Sequence, residues 1–196
     1  IGEDFPAVTI AEAAVEHVGS LNVAKRMAEK AMDIGADFIK YQMHFPEEEM
    51  ISGIIKFWGG SLDEVLEKYN LSVGDHRALI KYCREIGIQY LCTPFCPRAV
   101  DVLDGLGVVG FKTGSGEMTN LPMMERIAKT GKPVIISTGM CSYEEVEETV
   151  NFMKAKKVPF MITHCTSIYP PPYETINLSL IPEYKRKFNI LVGHSD

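Results

Sequence analysis

The sequence predicts an α/β fold of the TIM (β/α)8 barrel type, incomplete at about seven strands over residues 1–196. Two observations predict it. Short apolar runs alternate with helix-length amphipathic stretches from one end of the chain to the other, and with right-handed crossovers that order builds a parallel sheet. Most of the apolar runs also end on a charged or hydroxyl residue: Glu12, Lys40 with Gln42, Thr93, Lys112 running into Ser115 and Glu117, Ser137, His164 with Thr166, and Ser195 with Asp196. A charge at the end of a buried strand is costly to desolvate unless it meets a ligand, a partner or water. Parallel barrels open all their strand C-termini on one chemical face, and polar residues at nearly every strand end suit such a rim better than the single crevice of a doubly wound sheet.

The elements follow in order. A strand over residues 8–11 leads to a helix over 20–34, which Gly35 can cap. The second strand covers 38–42, and a long acidic excursion occupies 44–61. Ser61 and Glu64 form a capping box for a short helix, and Ser72 caps the next, which runs to Glu85. The third strand covers 88–93 and its helix 98–106. The fourth covers 111–114, after which Pro122 opens a helix at a favoured first-turn position. The fifth strand, Val134–Ser137, precedes a helix that starts with a second Ser142–Glu145 capping box and continues through Met153. The sixth covers 160–164. A Pro170-Pro171-Pro172 loop and a helix over 178–188 lead to a seventh at 190–193. Seven strands do not close an eight-stranded barrel, so the last βα units are expected beyond Asp196. The whole of 1–196 reads as one domain, with no linker and no low-complexity tract.

Composition narrows the function classes. A net charge of −6 argues against nucleic acid and membrane surfaces as partners, since both select basic patches. No stretch is long and apolar enough to span a bilayer. Five cysteines, odd in number and without a C-x-x-C pair, suit a reducing cytoplasm. Cys92 and Cys165 fall in strand-like runs and read as small core residues.

The segment Lys112-Thr113-Gly114-Ser115-Gly116-Glu117 is the sharpest motif. Its glycines let backbone N–H groups approach an anion, Ser115 adds a hydroxyl and Lys112 a charge. Lys40 and Gln42 share one side of the second strand. Glu12 interrupts an apolar stretch and is expected to pair with Lys40 on the neighbouring strand. Thr93 and Ser137 place hydroxyls at strand ends, where each can serve a site or cap the following helix. His164, inside an apolar run, reads as a core residue satisfied by hydrogen bonds. His17 and His44 lie in loops and are weak candidates. Tyr169 precedes the triple proline, whose fixed backbone suits a rigid pocket wall.

Glu12, Lys40-Tyr41-Gln42, Thr93-Pro94-Phe95, Lys112 to Glu117 with Asn120, Ser137-Thr138-Gly139-Met140, the run His164 to Pro170 and Gly193-His194-Ser195-Asp196 occur in this order. Together they resemble the sialic acid synthase family, the N-acetylneuraminate synthases and their legionaminic and pseudaminic relatives. The resemblance implies a barrel that condenses phosphoenolpyruvate (PEP) with an N-acylated amino sugar such as N-acetylmannosamine, giving a nonulosonic acid and phosphate. It implies Lys40 and Thr93 on the PEP carboxylate, and Lys112, Ser115, Ser137, Ser167 and Ser195 around its phosphate. Glu12, Gln42, Glu117 and Tyr169 would face the sugar, with Phe95 lining the pocket. Glu12, Lys112 and Glu117 are the implied catalytic residues. It further implies a divalent metal (Mn or Mg) on two histidines beyond Asp196, so that residues 1–196 carry no metal ligand. A following antifreeze-like domain, a homodimer in the full-length form and a cytoplasmic location complete the expectation. Glu16-His17-Val18-Gly19 departs from the family's usual Asn-His-Asn-Gly or Asn-His-Glu-Gly, and Ser167 stands where asparagine is common. Two other readings of the residues remain: a class I aldolase with Lys40 or Lys112 as Schiff-base nucleophile, and a catalytically silent sugar-phosphate binding module.

Overall fold

The computed structural model describes residues 2, 4–57 and 60–196. The chain divides into two compact units, Phe5–Val109 and Gly110–Asp196.

The first unit contains β1 (Ile10–Ala14), α1 (Leu21–Asp33), β2 (Phe38–Met43), α2 (Pro46–Glu49), β3 (Lys56–Phe57), β4 (Gly60–Ser61), α3 (Leu62–Tyr69), α4 (Val73–Ile86), β5 (Gln89–Pro94) and α5 (Pro97–Gly105). Its main sheet is parallel, in the order β1-β2-β5. Ser20 caps α1 through the Val23 N–H, and Gly35, at φ +82°, takes the left-handed turn that ends the helix. That helix buries Ala24, Ala28 and Ala31. Small residues there let it lie close to the strands, where the Tyr41 hydroxyl donates to the Ala24 carbonyl at 2.8 Å. Capping boxes at Ser61–Glu64 and Ser72–Asp75 start α3 and α4.

The second unit contains β6 (Phe111–Thr113), a 3-10 turn at Ser115–Glu117, α6 (Leu121–Lys129), β7 (Val134–Ser137), α7 (Tyr143–Lys156), β8 (Phe160–Cys165), α8 (Leu180–Phe188) and β9 (Val192–Ser195). The four strands form a parallel sheet in sequence order. Phe111, Ile136 and Ile162 on the strands and Met123, Met124, Ile127, Val146, Val150 and Met153 on the helices are all essentially inaccessible, a single apolar core. Gly110 enters β6 so close to Pro133 that a Cβ would stand 2.7 Å from the Pro133 carbonyl oxygen, the acceptor of the Phe111 N–H. Gly110→Ala is therefore expected to lose about 1–3 kcal/mol of stability, seen as a lower urea midpoint at unchanged slope.

Three expectations shift. Strand β1 runs on through Glu12 to Ala14 instead of ending there. The Glu12 side chain is 43% exposed, so no desolvation cost stops the ladder. Residues 8–9 lie outside the strand: Thr9 is tied to the Asp37 carboxylate, 2.8 Å from its N–H. The acidic excursion is partly ordered, with α2 and the β3–β4 hairpin inside it. Its anchor is the Asp63 carboxylate, which accepts from Ser52 Oγ at 2.5 Å and the Gly53 N–H at 3.1 Å. The last strand begins at Val192 rather than Ile190, because Asn189 in the left-handed region ends α8 and the ladder starts with Val192 opposite Ile162.

Candidate active site

In the first unit the pleat of β2 sends Lys40 and Gln42 to the same side. Lys40 is 6% exposed, and its ammonium pairs with the carboxylate of Glu12, its register neighbour on β1. A buried ammonium needs such a partner. The same Nζ lies 3.4 Å from Thr93 Oγ1, on β5. Thr93 is thus turned toward a lysine rather than capping α5. Gln42, opposite Thr93 in register, points its side-chain oxygen at His44 Nε2, 3.0 Å away. Phe95 stacks on the His44 ring at 4.2 Å between centroids.

In the second unit Lys112 leaves β6 only 7% exposed. Its Nζ donates to Ser137 Oγ at 2.5 Å and lies 3.4 Å from the Thr113 carbonyl. Ser137 Oγ in turn is 3.1 Å from Thr163 Oγ1. These oxygens are neutral, and burial without a matching anion pushes the Lys112 ammonium down to about 8. Ser115, in the 3-10 turn, and Ser167 meet at Gly139, two residues past Ser137. Their hydroxyls lie against Gly139 so closely that a Cβ there would collide with both. Glycine after β7 thus makes room for two hydroxyls beside the lysine's strand, a donor set that fits a phosphate. Gly139→Ala is expected to weaken inorganic phosphate or PEP binding by about tenfold or more, because both hydroxyls must turn away; titration calorimetry reads it directly.

The other expected residues are less tightly joined. Glu117 closes the 3-10 turn two residues after Ser115 and is half-buried. Tyr169 is 74% exposed, at a cis bond to Pro170. Ser195 lies within β9, opposite Cys165, rather than beyond the strand end. His164 is a satisfied core residue, its Nε2 2.5 Å from the Ile176 carbonyl. Cys92 and Cys165 are buried, as their strand positions suggested.

Sequence reasoning missed three residues, Thr163, His76 and Glu49, and read two others, His17 and His44, only as weak candidates. Thr163 supports Ser137, and its alternation with Cys165 on β8 was the available signal. His17 and His44, read as loop residues, are 1% and 5% exposed. Burial lowers the His17 pKa. His76, on α4, was not singled out. Its Nδ1 meets the Tyr90 hydroxyl at 2.7 Å, its Nε2 has no partner among the described residues, and burial holds it at about 4. Glu49 closes on His44 only because Pro46 starts a single turn that folds the chain back.

Among the described residues no group of three or more His, Cys, Asp or Glu side chains is placed to hold a metal ion. The chain's own residues therefore do not fit the divalent ion implied above, and no chemical step is assigned to it. No helix among the described residues is long and apolar enough to cross a membrane.

The NeuB family model matches residues 27–196. The N,N'-diacetyllegionaminic acid synthase of Campylobacter jejuni is 39% identical over 95% of this chain and 59% of its own length. The human N-acetylneuraminate-9-phosphate synthase is 34% identical over all of this chain and 56% of its own length. The chain thus spans somewhat over half the length of these relatives. Among solved structures, the N-acetylneuraminic acid synthetase of Leptospira borgpetersenii in complex with citrate aligns at a TM-score of 0.89 and 32% identity, covering 98% of this chain and 65% of the other. The fold class is α/β, an incomplete (β/α)8 barrel with three and four parallel barrel strands in the two units. By the match of the family model over most of its length, the chain belongs to the NeuB family, that of the sialic, legionaminic and pseudaminic acid synthases.

Proposed function

We propose that this chain is the barrel portion of an enzyme that condenses PEP with an N-acylated amino sugar to a nonulosonic acid, releasing phosphate. The observation that carries the proposal is Lys112, a buried lysine met by neutral oxygens with two further hydroxyls flanking Gly139. PEP brings about three negative charges, roughly two of them on phosphate. In this reading Lys112, Ser115, Ser137, Ser167 and Ser195 hold the phosphate, and Lys40 with Thr93 holds the carboxylate. Glu12, Gln42, Glu117 and Tyr169 face the sugar, and Phe95 lines its pocket. C3 of PEP attacks the sugar aldehyde carbon, water adds at C2, and phosphate leaves by C–O cleavage. Glu12 and Glu117 manage the protons of that water and of a sugar hydroxyl. The names of the similar synthases support the product class. A divalent metal, a C-terminal antifreeze-like domain, a homodimer and a cytoplasmic location belong to the same proposal.

The test is phosphate release from PEP by the full-length protein, dependent on an added acyl amino sugar, with the nonulosonic acid identified by mass. PEP binding without turnover would instead favour a silent binding module.

Lys112 also sets a pH dependence. A lysine lowered by burial regains its proton when an anion arrives, so anion binding takes up a proton where Lys112 is neutral. PEP affinity is expected to hold near neutrality and then fall toward one decade per pH unit above about 8. Titrations showing flat affinity to about pH 9.5 would remove Lys112 from the phosphate site.

The same lowered pKa favours one second reading, a Schiff base at Lys112. Borohydride reduction in the presence of substrate is expected to trap no adduct. A trapped peptide containing Lys112 would establish the aldolase reading instead.

A further inference from the structure

We infer that Arg98, on α5, is a positioning residue for the acceptor sugar: it latches the α2 turn so that the His44 ring stays stacked on Phe95. The inference rests on the proposed places of Phe95 and Gln42 at that sugar.

Arg98 reaches the start of the acidic excursion in three ways. Its Nη1 donates to the carboxylates of Glu47 at 3.0 Å and Glu48 at 3.3 Å. Its guanidinium carbon also stands 4.0 Å from the centre of the Phe45 ring, a cation–π contact.

The turn has little else to hold it. α2 is four residues long, begins at Pro46 and carries Glu47, Glu48 and Glu49 in succession. A helix so short has no stability of its own, and adjacent carboxylates repel one another. Pro46 is its only buried residue. Beside it lies a cavity of about 210 Å³, lined by Phe45, Pro46, Leu71 and Val73 among others. Packing is therefore incomplete on that side, because walls that face empty space have no partner atoms. The polar contacts to Arg98 make up the difference.

What the latch holds is the ring. One oxygen of Glu49, in the same turn, lies 2.8 Å from the His44 ring, and the other accepts the Phe45 N–H at 2.5 Å. The ring stacks on Phe95 at 4.2 Å and lies 3.0 Å from the Gln42 side chain. Phe95 and Arg98 leave the same β5–α5 junction, so residues 44–48 are gripped at two points from one place. Swinging α2 off α5 would draw His44 away from Phe95 and Gln42 together. Lys40 is held by the β1–β2 ladder and by Glu12, so the proposed PEP contacts do not depend on the turn.

Arg98 and Glu47 are 50% and 61% exposed, which makes each contact weak. Together they favour the latched form by about fivefold to tenfold, enough to bias the turn without locking it. Apparent sugar affinity then scales with the fraction of molecules latched.

The experiment compares full-length wild type with Arg98→Met, which keeps an unbranched chain over Phe45 and removes the charge. Hydrogen–deuterium exchange of the peptide covering residues 44–50 reads the latch itself, through the Phe45 and Met50 N–H groups bonded within the turn. Its exchange is expected to quicken by about fivefold to tenfold in Arg98→Met. Wild type should approach that rate between about 0.05 and 1 M salt, as exposed ion pairs are screened, while Arg98→Met stays nearly indifferent.

At saturating PEP, the KM for uncharged N-acetylmannosamine should rise by about fivefold in Arg98→Met, with kcat and the KM for PEP within about twofold of wild type. The same KM should climb with salt in wild type only. Glu47→Gln combined with Glu48→Gln should lose most of the same effect, and adding Arg98→Met to that pair should change it less than Arg98→Met changes wild type. Unchanged exchange in Arg98→Met overturns the proposal. So does exchange quickened evenly across the protein, which would make Arg98 a residue of general stability. A sugar KM that ignores a faster-exchanging turn removes the positioning role. If no amino sugar is turned over, the enzymatic reading fails and the sugar role with it, and the exchange rates then show separately whether the latch stands.

Discussion

Lys112→Met in the full-length protein is expected to lower synthase turnover by a factor of tens to hundreds or more, while leaving the protein at least as stable as wild type at neutral pH. The first half follows from losing a charge-assisted contact inside a desolvated site, about 2–4 kcal/mol of transition-state or binding energy. The second follows from the sign of the pKa shift. Lys112 is lowered in the fold by burial, so its charged form is disfavoured there and stability gains as pH rises from about 8 toward the ordinary lysine value. A methionine of similar length removes that cost and keeps the packing. Activity by phosphate release and thermal melts at pH 7 check both halves. Near-normal turnover, or a collapse in melting temperature, would make Lys112 a structural residue.

Lys40→Ala should behave differently. Lys40 is buried against Glu12 and near Thr93, so its loss removes both an anion contact and an ion-pair partner of Glu12. PEP affinity is expected to fall by tens to hundreds of fold, again about 2–4 kcal/mol. Stability should fall only modestly, because the Glu12 carboxylate left behind is partly exposed and water can take the place of the lysine, while the buried Lys40 stem is lost from the packing. Calorimetric titration with PEP and urea unfolding measure the two effects separately. An unchanged PEP affinity together with lost stability would assign Lys40 to the fold alone.

Much of the arrangement was legible in the chain. The period-2 spacing placed Lys40 and Gln42 on one side of β2, and the cost of a lone buried carboxylate anticipated the Glu12–Lys40 pair. The capping boxes at Ser61, Ser72 and Ser142 appear where serine precedes Glu or Asp by three residues. Strand ends were harder. A carboxylate ends a strand only where burial makes it costly, and Glu12 is partly exposed, so the strand continues to Ala14. His44 and Glu49 were not paired, since nothing in the spacing of five says whether the chain between them turns.

The sequence by itself determined the βα alternation, the polar ending of most strands and the lysine–hydroxyl chemistry, because these depend on residue type and on the short-range geometry of strands and helix caps. Tertiary structure alone decided that Ser115 and Ser167, far apart in the chain, crowd the same glycine. It also decided that His44 lies between Glu49 and Gln42, and that Lys112 is buried deeply enough to lower its pKa. The reason is physical. Proximity between distant residues and the loss of water around a charge arise only when separate segments pack, and no local pattern records what will surround a side chain once they do.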